Sequence, residues 1–153
     1  MKEIDRIDRK ILRAMQDNGR LTNLELADKI SLSPTATAER LKRLNRDGYI
    51  QSYTAKLSPE KLDRGMLVFV EVKLDRTTPD VFDAFSRAVR QSDDVMECHM
   101  VAGGFDYLVK ARVKGMEAYR TFLSDIILSL PGVRETHTYP VMEEVKNTGK
   151  LPV

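Results

Sequence analysis

The chain has 153 residues, 42% apolar and 31% charged, with a net charge of +2 and a single cysteine. That length allows one medium domain or two small ones, each with a real core. No apolar run approaches the roughly 18 residues of a membrane helix. The charged, amphipathic N-terminus is unlike a signal peptide, and one cysteine excludes an internal disulfide. The expectation is a soluble, cytoplasmic protein with no membrane partner.

The charge is unevenly spread. Through Arg64 there are 14 Lys/Arg against 10 Asp/Glu, and from Gly65 onward 11 against 13. The positive excess therefore lies in the first half, which favours a surface facing nucleic acid there and a different task for the second half.

Asp5-Arg6-Ile7-Asp8 opens a first helix with acids in its first turn, and Ile7, Ile11, Leu12 and Met15 form its buried stripe. Asn18-Gly19 ends it. Thr22 and Glu25 have capping-box spacing, so a second helix starts there with Leu24, Ala27 and Ile30 on one face. Ser31 and Leu32 leave room only for a sharp turn. Ser33 then offers an N-cap hydroxyl and Pro34 a first helical residue for a third helix, which Gly48 closes. Thr37, Leu41 and Leu44 face the core, and Thr35, Ala36, Glu39, Arg40, Lys42 and Arg43 are expected to point outward. Such a pair of helices is a helix–turn–helix, whose second helix enters the DNA major groove, although any basic surface helix pair shares the pattern.

Tyr49 to Leu57 alternates β-branched and aromatic residues and reads as a strand, either a wing beside DNA or a bridge. A short helical turn follows Ser58-Pro59 and ends at Leu62. Met66 to Asp75 is a strong strand, with Val68, Val70, Val72 and Leu74 on one apolar face and Leu67, Phe69, Glu71 and Lys73 on a mixed one. Thr78-Pro79 starts a helix carrying Val81, Phe82, Phe85, Ala88 and Val89. Strands are expected at 95–102, 107–113 and 133–145, with a helix from Tyr119 to Leu130 before Pro131-Gly132.

The order β-α-β-β-α-β is the ferredoxin-like arrangement, with both helices on one face of an antiparallel sheet. The fold class is thus α+β: a (winged) helix–turn–helix domain at 1–50, a strand and short helical linker at 51–65, a ferredoxin-like effector-binding and oligomerisation domain at 66–146, and a C-terminal tail at 147–153. Leu67 and Phe69 lie on the sheet face that the helices leave open. Either a symmetric dimer covers that face or it is solvated.

The quoted segments resemble the Lrp/AsnC (feast/famine) transcription regulators. The resemblance rests on IDRIDRKIL, NGR, LSPT, ERLKRL and DGYIQ in the first half, and on VAGGFDYL, LPGV and THTYPVMEEVK in the second. LVFVEV, PDVF, ECH and VMEEVK bring it closest to the leucine-responsive branch. It implies a sequence-specific DNA-binding regulator of amino-acid metabolism that responds to a small amino acid, leucine- or methionine-like. Homodimers would assemble further, an octamer being favoured. The alternative is an architectural DNA-wrapping protein without effector response. Two positions depart from the family pattern: Ser31 stands where a glycine is common, and Gly104 where a polar or acidic residue is frequent.

For double-stranded operator DNA the candidate residues are Ser33, Thr35, Ala36, Glu39, Arg40, Lys42, Arg43 and Arg46. Arg40 and Arg43 lead because guanidinium groups can bond guanine edges or phosphate. For the amino acid, the resemblance implies Gly103, Gly104, Phe105, Asp106 and Tyr107, with Thr136 and Thr138 as hydroxyl partners. The two glycines allow backbone N–H groups to approach a carboxylate, and Asp106 can accept from an ammonium; a plain hairpin turn would use the same residue types. Cys98 and His99 point to opposite strand faces and do not form a metal site. Neither a catalytic constellation nor a cofactor motif is present, so an enzyme is not expected.

Overall fold

A computed structural model describes residues 3–153 and divides into two compact units, one formed by residues 1–56 with 147–153 and the other by residues 57–146. The first unit holds helices α1 (Arg6–Asp17), α2 (Asn23–Ile30) and α3 (Pro34–Arg46). Each start is made locally. Asp5 and Asp8 cap one another's backbone N–H groups, and Thr22 and Glu25 do the same at α2. The Ser33 hydroxyl accepts from Ala36 N–H at 3.3 Å, with Pro34 following it. These bonds satisfy amides that have no partner inside the helix.

Ile11, Leu12, Met15, Leu26, Ile30 and Leu44 make the core of this unit. Leu24, expected on the buried face, is 65% exposed, and Leu26 takes its place at full burial. At 100° per residue, Leu26, Ala27 and Ile30 share one side of α2 and Leu24 falls outside it. Ser31 closes α2 in the left-handed region, at φ 58° and ψ 53°. A non-glycine residue there stores on the order of 1–2 kcal/mol. Gly48 ends α3 at φ 78° without that penalty.

The expected strand at 49–57 is absent, because the unit contains no second strand to receive its backbone hydrogen bonds. The stretch is held instead by side chains: Tyr53 donates its hydroxyl to Asn45 Oδ1 at 3.2 Å, and Lys56 donates to the Asn147 carbonyl at 3.3 Å. The terminal segment is pinned to α1. Gln16 donates to the Leu151 carbonyl at 3.0 Å and accepts from Leu151 N–H at 2.6 Å, while Lys150 pairs with Asp17 at 2.7 Å. Val153 packs on the helical core.

In the second unit a 3₁₀ turn at Glu60–Leu62 precedes β1 (Met66–Leu74), α4 (Pro79–Arg90), β2 (Val95–Met100), β3 (Tyr107–Val113), α5 (Met116–Phe122) and β4 (Val133–Pro140). The sheet is antiparallel in the order β2-β3-β1-β4, the ferredoxin-like topology. Val68, Val70 and Val72 are fully buried on the helix-covered face, against Phe85, Val109 and Ile127. Two ends differ from the sequence reading. β2 and β4 are shorter than expected, and the second helix leaves α geometry after Phe122 for a π-helical turn at Leu123–Ile127. That turn brings Ile127 to full burial.

The open face is also less bare than its sequence suggested. Leu67 is buried, its carbonyl accepting from Val141 N–H at 2.9 Å. Across the strand pair, the buried Arg112 donates to the Gly65 carbonyl and is paired with Glu144. Chain that follows β4 thus reaches this end of the face. Phe69 remains half-buried, between Lys110 and the exposed Tyr139.

Candidate functional site

On the first unit, α3 presents a solvent-facing stripe of Thr35, Ala38, Glu39, Lys42 and Arg46, with Ser33 at its start and Ala36 half-exposed. Lys42 makes no ion pair among the described residues, and Arg46 is bonded only to its neighbour Asp47, at 2.8 Å. Ala38 belongs to this stripe although the sequence reading left it out; continuing the 3.6-residue period from Thr35 would have found it.

Arg40 and Arg43 do not point freely outward. Arg40 Nη1 bonds Asp5 at 2.6 Å and Asp8 at 2.8 Å, and Arg43 Nη2 bonds the other Asp8 oxygen at 2.5 Å. Asp8 is wholly buried, so its charge depends on these two partners. The Asp5 carboxyl is held down to about 2, first by the Asp8 backbone N–H it accepts from and then by the Arg40 guanidinium. The same carboxylates raise Arg40 above its usual value, Asp5 more than Asp8. Arg40 nevertheless keeps Nε and Nη2 without a partner among the described residues.

On the second unit, the Gly103–Asp106 turn joins β2 to β3. Neither glycine there has positive φ. Gly103 and Gly104 are exposed, and a Cβ at either would meet nothing within 4 Å. Asp106 closes the end of the β1–β3 ladder: its N–H donates to Val72 O at 3.0 Å, and its Oδ2 accepts from Leu74 N–H at 2.7 Å. One carboxylate oxygen is left over.

Gly104 and Phe105 line a recess of about 160 Å³ with Glu71, Lys73, Glu135 and His137. These four side chains stand on the open face, where Glu71 faces His137 and Lys73 faces Glu135 across β1 and β4. The sequence reading did not include them, although strand parity places Glu71 and Lys73 on that face. The expected hydroxyl partners are elsewhere. Thr136 and Thr138 face Val72 and Val70 on the helix-covered side, where Thr138 bonds the Tyr119 hydroxyl. Tyr107 is likewise in the core, 4% exposed, with its ring 4.3 Å from that of Phe85. The turn therefore opens toward carboxylates and a lysine rather than toward hydroxyl groups.

Cys98 is half-buried, and burial pushes its thiol up to about 11. No group of three metal-ligating side chains occurs among the described residues. No helix among them is long and apolar enough to cross a membrane.

A capped helix–turn–helix with a cationic stripe and a ferredoxin-like unit with a charged recess define a DNA-binding regulator of the ligand-sensing class. Comparison with known proteins makes this specific. Residues 4–51 match a winged helix-turn-helix DNA-binding family, and residues 67–151 match the Lrp/AsnC ligand binding domain. The chain belongs to the Lrp/AsnC family and is a DNA-binding transcription regulator, not an enzyme.

Among its relatives, the leucine-responsive regulatory proteins of Escherichia coli and Salmonella typhimurium are each 52% identical over 152 residues, covering 99% of this chain and 93% of theirs. Among solved structures, a Neisseria meningitidis transcriptional regulator in complex with L-Met superposes with a TM-score of 0.93 at 38% identity, covering 98% of this chain and 97% of that one. An AsnC family regulator from Agrobacterium tumefaciens gives 0.92 at 32% identity, with 97% of each chain covered.

Proposed function

We propose that this regulator binds operator DNA through α3 and responds to a small amino acid, leucine- or methionine-like, at the Gly103–Asp106 turn. The reading rests chiefly on one observation: the recess beside Gly104 carries a cation, Lys73, and two carboxylates, Glu71 and Glu135. A zwitterion needs both signs, and exposed backbone N–H groups at paired glycines can add donors for its carboxylate. The similar Neisseria protein is known in complex with L-Met, and the similar enterobacterial proteins are leucine-responsive.

On the DNA side, Thr35, Ala36 and Glu39 meet the groove, Ser33 and the α3 N-terminus hold phosphate, and Lys42 and Arg46 add phosphate contacts. Arg40 and Arg43 sit at the flank of this surface, presenting the donors that Asp5 and Asp8 leave unused. The protein acts in the cytoplasm as a homo-oligomer. The open sheet face, with Phe69 and Tyr139, joins two chains, and dimers close into an octamer. An amino acid that prefers one arrangement of dimers changes the spacing of the DNA-reading units, a coupling by linkage.

Native mass spectrometry of the purified protein, combined with operator titrations at fixed salt, tests this. The expected result is an octamer whose size or operator affinity changes with millimolar leucine or methionine. If both stay constant across amino acids, the sensing role is wrong, and wide tolerance of DNA sequence would then point to an architectural protein.

A further inference from the structure

A second cavity, of about 270 Å³, opens between the C-terminal half of α4 and the edge strand β2. It is just below the roughly 300 Å³ at which small-molecule pockets commonly begin, so only a compact ligand fits. Val89 and Val95 supply apolar wall, Ser86 and Cys98 small polarisable groups, and Arg90 and Tyr107 the remaining polar lining used here. It shares no lining residue with the recess at Gly104. It also lies on the other side of the sheet, because Tyr107 faces Val72 and Cys98 faces Val109, both on the helix-covered face.

Two of its groups lack partners. The Tyr107 hydroxyl is buried on a residue 4% exposed and bonds nothing among the described residues. Folded proteins rarely leave such a group unbonded, since burying a lone hydroxyl costs free energy. Arg90 is exposed and makes no ion pair among the described residues. The nearby acids are already engaged: Glu97 with Lys110 at 2.7 Å and His99 at 3.3 Å, and Asp94 with Arg64 at 3.2 Å. The two unused groups can both donate, and the walls between them are apolar.

We propose that this cavity is a second ligand site of the sensor unit, taking a small monocarboxylate with a short apolar chain. The carboxylate supplies the charge Arg90 lacks and the acceptor Tyr107 lacks, and the chain covers Val89 and Val95. The Gly104 recess, by contrast, selects for an ammonium as well as a carboxylate, so the two sites read different parts of related molecules.

Cys98 gives the test a built-in reporter, being the chain's single cysteine and a lining residue. The full-length protein is alkylated with iodoacetamide at mildly alkaline pH, and the labelling rate is followed by intact mass at rising 4-methylpentanoate. This probe has the leucine carbon skeleton without the ammonium. Saturable protection is expected, shifted to about fivefold higher concentration in Tyr107→Phe and in Arg90→Gln, the scale of one hydrogen bond each. Ser86→Leu, which fills the cavity, is expected to abolish the protection. The unliganded Tyr107→Phe protein should melt no lower than the wild type, because it loses an unbonded hydroxyl. The proposal is overturned by a labelling rate that ignores the probe, by protection that survives all three substitutions, or by a melting temperature that falls in Tyr107→Phe.

Discussion

The wholly buried carboxylate of Asp8 lies 2.8 Å from Nη1 of Arg40, linking the first turn of α1 to the middle of the DNA-facing helix. Arg43 takes the second oxygen, so the charge on Asp8 is fully matched. This cluster fixes how α3 rests on α1 and thereby which of its residues face solvent. Asp8→Ala would leave two guanidinium groups against an apolar core. Both arginines are partly exposed and can turn toward water, so the expected loss is about 1–3 kcal/mol of unfolding free energy. Urea titration followed by circular dichroism measures it, and an unchanged midpoint would mean that the ion pairs contribute nothing.

The same cluster divides the cations of α3 into two classes. Lys42→Ala and Arg46→Ala should each weaken operator binding and lower the slope of log affinity against log salt by about 1. Arg40→Ala should weaken binding by about 1–3 kcal/mol if its free donors reach DNA, and it should also lower stability because Asp5 and Asp8 lose a partner. Mobility-shift titrations at several salt concentrations separate these effects. Full operator affinity in Arg40→Ala would remove Arg40 from the interface and leave it a structural residue.

Ser31 is the next point of leverage. Its φ of 58° is one that glycine adopts freely. Ser31→Gly removes the left-handed strain but adds freedom to the unfolded chain, and the net expectation is a gain of about 0.5–1 kcal/mol. Thermal unfolding of the variant should show a higher midpoint. A lower one would show that the Ser31 side chain contributes more than its backbone costs.

Acid sensitivity follows from Asp5. Its carboxyl is held at about 2, below the ordinary 3.8, by the Asp8 N–H first and Arg40 second. A depressed carboxyl contributes stability that is fully present above the unfolded value and is lost as pH falls through the folded one. The contribution is therefore intact above about pH 4 and disappears toward pH 2. Urea midpoints measured between pH 5 and 2 should fall for the wild type, with a shallower fall in Asp5→Asn. Parallel curves would assign the acid response to other carboxylates.

At the recess, Lys73→Met should reduce the amino-acid response of operator binding by about tenfold in effector concentration, the value of one charge-assisted hydrogen bond. Affinity for DNA without effector should stay as it was, since Lys73 is on the sheet of the other unit. Thr136→Val should change the response little, because Thr136 lies on the helix-covered face. The opposite ranking of these two variants would return the site to the hydroxyl side of β4.

Much of the fold was legible because its signals are local. Asp5, Thr22 and Ser33 cap helices through residues three positions away, and the alternation of Val68, Val70 and Val72 needs only the pleat of one strand. The strand expected at 49–57 failed for the opposite reason: its residue types suit a strand, but strands require a partner that local sequence does not announce. The ligand turn was legible as a turn. Its neighbours were not, because the register that brings Glu135 and His137 beside Gly104 is set by the pairing of β1 with β4.

The sequence by itself determined the two-part α+β organisation, the helix starts, the buried faces of the strands and the family, since each follows from spacing or from contiguous motifs. Only the tertiary structure decided that Arg40 and Arg43 turn to Asp8 and that Thr138 turns to Tyr119 rather than to the effector turn. The physical reason is the same in both cases. Helical or strand period gives the direction in which a side chain leaves the backbone, whereas its partner is chosen by what charge or hydroxyl another element, dozens of residues away or more, places within hydrogen-bonding distance.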